Sequence, residues 1–192
     1  LNEYARLYPE LTSIFDEYNL KYTVEKVIGA VAEPIEEYEQ EQEINEPLNF
    51  WWLNANPKIW SISNHVEGQR QTYTTHNEKG NKRRVYKYFE AAKPGDLIIG
   101  YESSPTKQIK AIYEVTKGIH ITVEGEEIEF ELVEKLEIPV HWNELKNNAT
   151  LQHCEVLINN QGSLFKLTED EFDIIREIID NKNIITEKLL QS

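Results

Sequence analysis

Residues 50–55 read FWWLNA, and we expect the folded domain to begin at this stretch. Three adjacent aromatic residues in so short a run are typical of a buried β-strand rather than of a helix. Because side chains alternate along a strand, Trp51 and Trp52 are expected to point to opposite faces of a sheet, and both faces need cover. The pair Asn56-Pro57 then ends the strand.

The sequence after this strand predicts short elements separated by turn residues. They are, in order, an irregular turn over 58–66 that carries Trp60, a strand or loop around Tyr73, a turn at Gly80, a helix with Val85, Tyr86 and Phe89 on its apolar face, and a hairpin of 96–103 and 108–115. Alternating apolar and acidic residues predict further antiparallel strands in HITVEG, GEEIEFELVEKLEIPV and CEVLIN, with a turn at Gly125. A capping-box pair, Thr168 and Glu171, indicates a final helix.

Four segments are predicted along the chain. Residues 1–32 carry apolar residues at helical spacing, and the acidic residues 33–48 are interpreted as a linker. Residues 49–180 form the predicted domain, and 181–192 are interpreted as a linker toward a missing region. The sequence contains no Met, even at position 1, so we expect it to be a piece of a longer protein.

Charge is distributed unevenly along the sequence. The net charge of the chain is −14, which by itself argues against a nucleic-acid partner. Residues 49–118, however, hold 11 Lys and Arg against 6 Asp and Glu, for a net charge of +5, while the flanking segments are acidic. A localised basic region reports on partners more directly than net charge does, so an anionic partner is expected to bind within 49–118.

Common enzyme signatures are missing from the sequence. It contains no GxxxxGK[ST], GxGxxG, GxSxG or HExxH motif, and its five His never occur at metal-ligand spacing. Asp96 with Gln108 and Lys110 resembles a metal-dependent nuclease pattern, but the predicted hairpin places Asp96 at the end away from Gln108. We therefore expect a binding domain that is not an enzyme and needs no metal or cofactor in this fragment.

The sequence also carries expectations about location. No stretch approaches the ~20 apolar residues that cross a bilayer, and the first residues do not read as a secretory signal. The single cysteine, Cys154, lies in an apolar run and cannot form an internal disulfide. These features predict a cytoplasmic protein without a membrane partner.

Three long motifs resemble one known family. They are WWLNANPKIWS (51–61), GDLIIGYESSPTKQIKAIYEV (95–115) and INNQGSLFKLTEDEF (158–172). Together they resemble the EVE domain, a PUA-like domain related to the YTH readers of methylated adenine. The combination is most similar to EVE modules attached to the GTPase subunit of McrBC-type restriction systems, and the resemblance covers roughly residues 50–180.

The resemblance implies an α+β fold with a curved, barrel-like mixed sheet flanked by helices. It also implies a pocket for a flipped, modified base, with N6-methyladenine and modified cytosine both left open. The segment YTTHNEKGNKR (73–83) is similar to a YTH segment in which an aromatic cage residue precedes a basic run, and Tyr73 holds that position as Tyr rather than Trp. The implied partners are modified double-stranded DNA, a GTPase domain in the same full-length chain and a separate nuclease subunit.

Physical reasoning assigns further candidate residues around such a base. Aromatic rings stack on bases, Asn and Ser side chains bond to base edges, and Lys and Arg bind phosphates. Any single aromatic residue could instead belong to the hydrophobic core and make no contact with a base. The base-pocket candidates are Trp52, Asn54, Asn56, Trp60, Tyr73, Tyr101 and Ser103, and the phosphate-binding candidates are Lys79, Lys82, Arg83, Arg84 and Lys107.

Other functions remain open at this point. A reader of methylated RNA would prefer a 2′-hydroxyl, and a non-catalytic assembly module would have no affinity for nucleic acid. An enzyme would need metal-dependent turnover that Asp96→Ala abolishes.

Overall fold

The computed structural model describes residues 47–190, with side chains described through residue 184. The predicted N-terminal helices and nearly all of the acidic linker lie outside the described residues. Six strands form one mixed sheet in the order β2-β5-β4-β3-β1-β6, in which only the β1–β3 pair is parallel. The strands are β1 (Phe50–Ala55), β2 (Arg70–Thr74), β3 (Leu97–Glu102), β4 (Gln108–Thr122), β5 (Gly125–His141) and β6 (Leu164–Leu167).

Helices connect the strands, and three of the four helices of the described part of the chain cover one face of the sheet. They are α1 (Lys87–Ala91), α2 (Trp142–Lys146), α3 (Glu155–Ile158) and α4 (Glu169–Leu190), with 3₁₀ turns at Ile62–Asn64 and Ala149–His153. No helix in the described part of the chain is long and apolar enough to cross a membrane. The predicted combination of a mixed sheet and flanking helices in an α+β fold is confirmed.

Strand β1 lies between β3 and the edge strand β6, and its two faces belong to different cores. Trp51 and Trp52 are both fully buried and belong to different apolar clusters, as their alternation predicts. The helix-side core contains Trp52 and is covered by α2, α3 and α4. The inner core contains Trp51 and lies on the opposite face, against α1.

The predicted hairpin of 96–103 and 108–115 is confirmed by the antiparallel pairing of β3 with β4. The predicted turn at Gly125 joins β4 to β5, where its φ of 117° favours glycine. Asp96 is fully buried at the start of the hairpin and accepts a hydrogen bond from the Trp51 indole Nε1 at 2.9 Å. Because Gln108 pairs with Glu102 at the opposite end, the nuclease-like pattern is not assembled.

Two predictions of local structure are wrong. The CEVLIN stretch forms α3 rather than a strand. The consecutive residues Val156 and Leu157 are both buried, which a helical turn allows but a half-buried strand, with its alternating side chains, does not. Val85 has a φ of 55°, which is not helical, so the helix predicted to include Val85 and Tyr86 begins only at Lys87. Helix α4 continues through Leu190, into the segment interpreted as a linker, and Asn183 bonds the helix to β5 by accepting from the Ile138 amide at 3.0 Å.

The sheet curves so strongly that its two edge regions approach each other. Several register shifts between β4 and β5 provide the bending. Strands β2 and β6 are the edges in the hydrogen-bonding order, yet Arg83, after β2, donates to the Ser163 hydroxyl, before β6, at 3.3 Å. The Tyr73 hydroxyl of β2 lies 3.5 Å from the Asn54 carbonyl oxygen of β1. A seam therefore separates the two edges.

Candidate functional site

An open cleft of about 1270 Å³, here named the seam cleft, lies along this seam. Its walls come from the end of β1 and the turn after it, from β2 and the basic loop that follows, from the β4–β5 turn and from the loop before β6. The lining residues are Asn54, Asn56, Ile59, Trp60, 71–74, 76–80, Arg83, Ser103, 124–127, Asn160, Gly162 and Ser163.

Trp60 forms part of the apolar wall of the cleft. Its ring makes edge contacts with Tyr73 at 5.7 Å and with Phe130 at 6.0 Å between centroids, so the inner core supports it from behind. The side chain is partly exposed, and its indole Nε1 has no hydrogen-bond partner among the described residues. Since no buried side-chain polar atom of those residues is left unpaired, this nitrogen is not fully buried, and its N–H keeps contact with solvent.

Tyr73 and Arg83 form a stacked pair beside Trp60. The guanidinium carbon of Arg83 lies 4.7 Å from the centroid of the Tyr73 ring. Arg83 also donates to the Thr74 carbonyl at 2.7 Å and to the Thr74 hydroxyl at 3.1 Å. Within the described part of the chain no carboxylate lies within ion-pair distance of Arg83, so its positive charge is fixed in place and not neutralised.

Asn54 is a structural residue of the cleft wall. Its amide nitrogen donates to the carbonyls of Asn160 at 3.0 Å and Gly162 at 2.9 Å, and its amide oxygen accepts from the Trp52 indole at 2.8 Å. Both donor hydrogens are therefore used in holding the loop before β6. Asn56, by contrast, is exposed, and only its oxygen is engaged, by the Lys58 amide at 3.1 Å.

Basic residues predicted to bind phosphates divide into two groups. Lys79 lies on the cleft wall in a tight turn, where Gly80 has a φ of 74° and the Asn77 side chain accepts from the Lys79 amide at 2.9 Å. Arg83 lies there too. Lys82 instead stacks over the Tyr86 ring at 3.6 Å. Exposed Arg84 and Lys107 do not line the cleft either.

The β4–β5 turn adds an acidic part to the cleft wall, next to the basic loop. Glu126 accepts hydrogen bonds from the Thr75 hydroxyl at 2.6 Å and the Tyr86 hydroxyl at 2.5 Å, and these bonds lower the pKa of Glu126. Glu127 is buried next to it. The cleft thus presents both cationic side chains and an ionised carboxylate, that of Glu126, as a hydrogen-bond acceptor.

A buried carboxylate supports the segment that carries Trp60. Glu102, only 1% exposed, accepts from the Ser61 hydroxyl at 2.7 Å and pairs with the Lys110 ammonium at 2.6 Å. Burial alone raises the pKa of Glu102, but hydrogen bonds from Lys110 and Ser61 outweigh it and lower the pKa to about 2. The carboxylate is therefore ionised and fixes the residue next to Trp60.

Two of the base-pocket candidates do not reach the cleft. Trp52 is fully buried and Tyr101 is 2% exposed, and both rings pack in the helix-side core at 4.9 Å between centroids. Their prediction as pocket residues is corrected, because the face they point to is covered by helices. Asn54, Asn56, Trp60, Tyr73 and Ser103 do line the cleft, although Asn54 has no free donor.

Sequence reasoning missed part of the site. It named neither Glu126 nor the 160–163 loop as cleft residues, although this loop belongs to the third motif that carries the family resemblance. No group of His, Cys, Asp or Glu side chains among the described residues is arranged to hold a metal ion.

Comparison with known proteins assigns the fold and the family. The curved mixed sheet with flanking helices is of the PUA-like class. Residues 49–178 match the family described as the EVE domain, which is more than half of the sequence, and the chain belongs to this family. No curated protein matches the chain significantly.

Solved structures share this fold at low sequence identity. A hypothetical protein from Leishmania major has a TM-score of 0.61 at 15% identity, covering 70% of this chain and 96% of that chain. Rpa0253 from Rhodopseudomonas palustris has a TM-score of 0.57 at 18% identity, covering 66% and 90%. Human THYN1, solved in complex with 5-methylcytosine containing DNA, has a TM-score of 0.50 at 14% identity, covering 68% and 97%.

Proposed function

We propose that this chain is a DNA-binding module that recognises a modified base, flipped out of a duplex into the seam cleft, and performs no chemistry itself. The observation that carries the proposal is one open cleft that combines an aromatic wall with Arg83, which forms no ion pair with a carboxylate of the described residues. The volume exceeds the about 300–1,000 Å³ typical of small-ligand pockets, which leaves room for a base together with its sugar and flanking phosphate.

The energetics set what the cleft must supply. Flipping a base costs a few kcal/mol of stacking, and each aromatic contact returns about 1–3 kcal/mol. Trp60 offers its ring and a free indole N–H. Tyr73 offers its ring as the support for Arg83, so a base stacks on the guanidinium that lies over it. Lys79 and Arg83 supply positive charge for the phosphates beside the flipped nucleotide.

The acidic part of the cleft wall is consistent with recognition of a modified cytosine or of N6-methyladenine. An ionised carboxylate such as Glu126 accepts from the exocyclic amino group of cytosine or adenine, whereas thymine presents a carbonyl oxygen at the same place. A methyl group itself adds only ~0.8 kcal/mol on burial, so selectivity depends on the shape of the cleft around it. The human structural neighbour bound to 5-methylcytosine containing DNA supports modified cytosine as one ligand, and N6-methyladenine is the other.

The finer part of the proposal concerns the role in the cell. The three motifs that resemble EVE modules of McrBC-type systems support a role in directing a GTP-dependent restriction nuclease to modified DNA. On this hypothesis a GTPase domain belongs to the same full-length chain, the nuclease is a separate subunit, and the protein is cytoplasmic.

Fluorescence anisotropy with matched duplexes tests the proposal. The duplexes are unmodified or carry N6-methyladenine, 5-methylcytosine or 5-hydroxymethylcytosine, and each is titrated at two salt concentrations. We expect one modified duplex to bind about tenfold more tightly than the unmodified one, a preference that Tyr73→Ala removes and Tyr73→Phe keeps because the ring remains. Equal affinity for all duplexes would refute base recognition, and no binding at either salt concentration would favour an assembly role.

A further inference from the structure

One exposed aliphatic side chain lies at the cleft. The strongly exposed large apolar residues of the described part of the chain are Leu48, Ile59, Val66, Ile121, Val123, Val133, Ile158 and Ile184. Of these, only Ile59 lines the seam cleft, and it is 74% exposed. It directly precedes Trp60 in the sequence, so an apolar side chain in water stands next to the aromatic wall.

The turn that carries Ile59 is held rigidly at both ends. The Asn56 carbonyl accepts from the amides of Ile59 at 2.9 Å and Trp60 at 2.8 Å, and Pro57 fixes the backbone between them. On the far side, Ser61 is bonded to the buried Glu102. Ile59 therefore cannot fold back onto the inner core, and its β-branched side chain has little rotamer freedom to lose on binding.

We propose that Ile59 is the wedge that enters the DNA duplex and fills the space left by the flipped base. Removing a base from the stack leaves two apolar base faces open to water, and aliphatic side chains inserted at such steps cover those faces. The exposed Lys58 beside it adds a positive charge at the point of entry. This inference rests on the proposed function, since a wedge has a role only where a base leaves the duplex.

A second exposed aliphatic residue provides a contrast. Val123 lies at the tip of the β4–β5 hairpin and is fully exposed, but Glu124, Glu126 and Glu127 follow it. These carboxylates repel the phosphate backbone, so the hairpin tip is not expected to enter DNA. Val123→Ser is therefore a matched control for Ile59→Ser, because both changes replace an exposed β-branched side chain with the same polar one.

The test compares duplex with single-stranded ligand. Both carry the modified base that the wild-type chain prefers, and the single strand has no gap to fill. We expect Ile59→Ser to weaken duplex binding about tenfold and single-strand binding much less, with Ile59→Leu close to wild type and Val123→Ser without effect on either ligand. Circular dichroism checks that each variant is folded.

The outcomes separate the two proposals. If the wild-type chain prefers the modified duplex but Ile59→Ser keeps full affinity for it, the role of Ile59 as a wedge is overturned and the proposed function is not. Equal losses on duplex and single strand would also overturn it, because they would make Ile59 a contact to the nucleotide itself. Wild-type chain without any preference for a modified base would overturn both the wedge and the proposed function.

Discussion

Trp52 and Trp60 lie in one short stretch of sequence, and the structure gives them opposite surroundings. Trp52 is fully buried among the helices, and its indole N–H donates to Asn54. Trp60 is partly exposed at the seam cleft, and its indole N–H has no partner among the described residues. A tryptophan whose polar atom is already bonded stabilises the fold, whereas one with an open N–H keeps both ring and donor for a ligand.

The contrast between these two tryptophans predicts that loss of Trp52 affects folding and loss of Trp60 affects binding. Trp52→Ala is expected to lower the free energy of unfolding by about 3–5 kcal/mol, because it opens a large cavity in the helix-side core. Urea denaturation followed by circular dichroism measures this effect. Trp60→Ala should lower the free energy of unfolding clearly less than Trp52→Ala does. Its main effect should be a weaker affinity for modified DNA. Equal destabilisation by both changes would contradict the comparison.

A second prediction concerns the support beneath Trp60. Glu102→Gln is expected to lower the free energy of unfolding at neutral pH by about 1.5–3 kcal/mol, because the charged bonds to Ser61 and Lys110 are lost. Folding lowers the pKa of Glu102 to about 2, so its contribution is complete above the ordinary glutamate pKa and is lost as the pH falls toward 2.

The dependence of stability on pH tests whether the charge of Glu102 is responsible for this effect. Wild-type chain should lose stability between about pH 4.5 and pH 2 more steeply than Glu102→Gln does. Glu137→Gln, which changes an exposed carboxylate, should follow the wild-type curve. Parallel curves for wild type and Glu102→Gln would show that Glu102 does not stabilise the Trp60 segment through its charge.

Asn54 connects the two regions, which makes it the next test. Asn54→Ala is expected to lower the free energy of unfolding by about 1–2 kcal/mol, because the Trp52 indole and the carbonyls of Asn160 and Gly162 lose their partner. Thermal denaturation measures the change. Asn56→Ala, which removes a single bond in an exposed turn, is the control and should cost less. A larger loss for Asn56→Ala would reverse the structural role given to Asn54.

Local sequence signals predicted the frame of the molecule but only part of the site. The bounds of β1 and the pairing of β3 with β4 follow from short-range patterns of aromatic, Pro and Gly residues, and both are confirmed, although β4 continues beyond the predicted residue 115 to Thr122. Alternation separated Trp51 from Trp52 correctly but could not show that helices cover the Trp52 face. The bonds from Asn54 to the 160–163 loop and from Arg83 to Ser163 join distant parts of the chain, which no local pattern encodes.

The smallest expected effect tests whether Arg83 acts by its shape or only by its charge. Arg83→Lys keeps the positive charge but loses the planar group over Tyr73 and the forked bonds to Thr74. We expect a few-fold loss of affinity for modified DNA, about 1 kcal/mol or less, with the salt dependence unchanged. Arg84→Lys, on an exposed residue outside the cleft, should have no effect. Anisotropy titrations at several salt concentrations measure both quantities. If Arg83→Lys bound like wild type while Arg83→Gln bound weakly with a shallower salt dependence, Arg83 would serve as a phosphate charge and Trp60 alone would remain as the stacking surface.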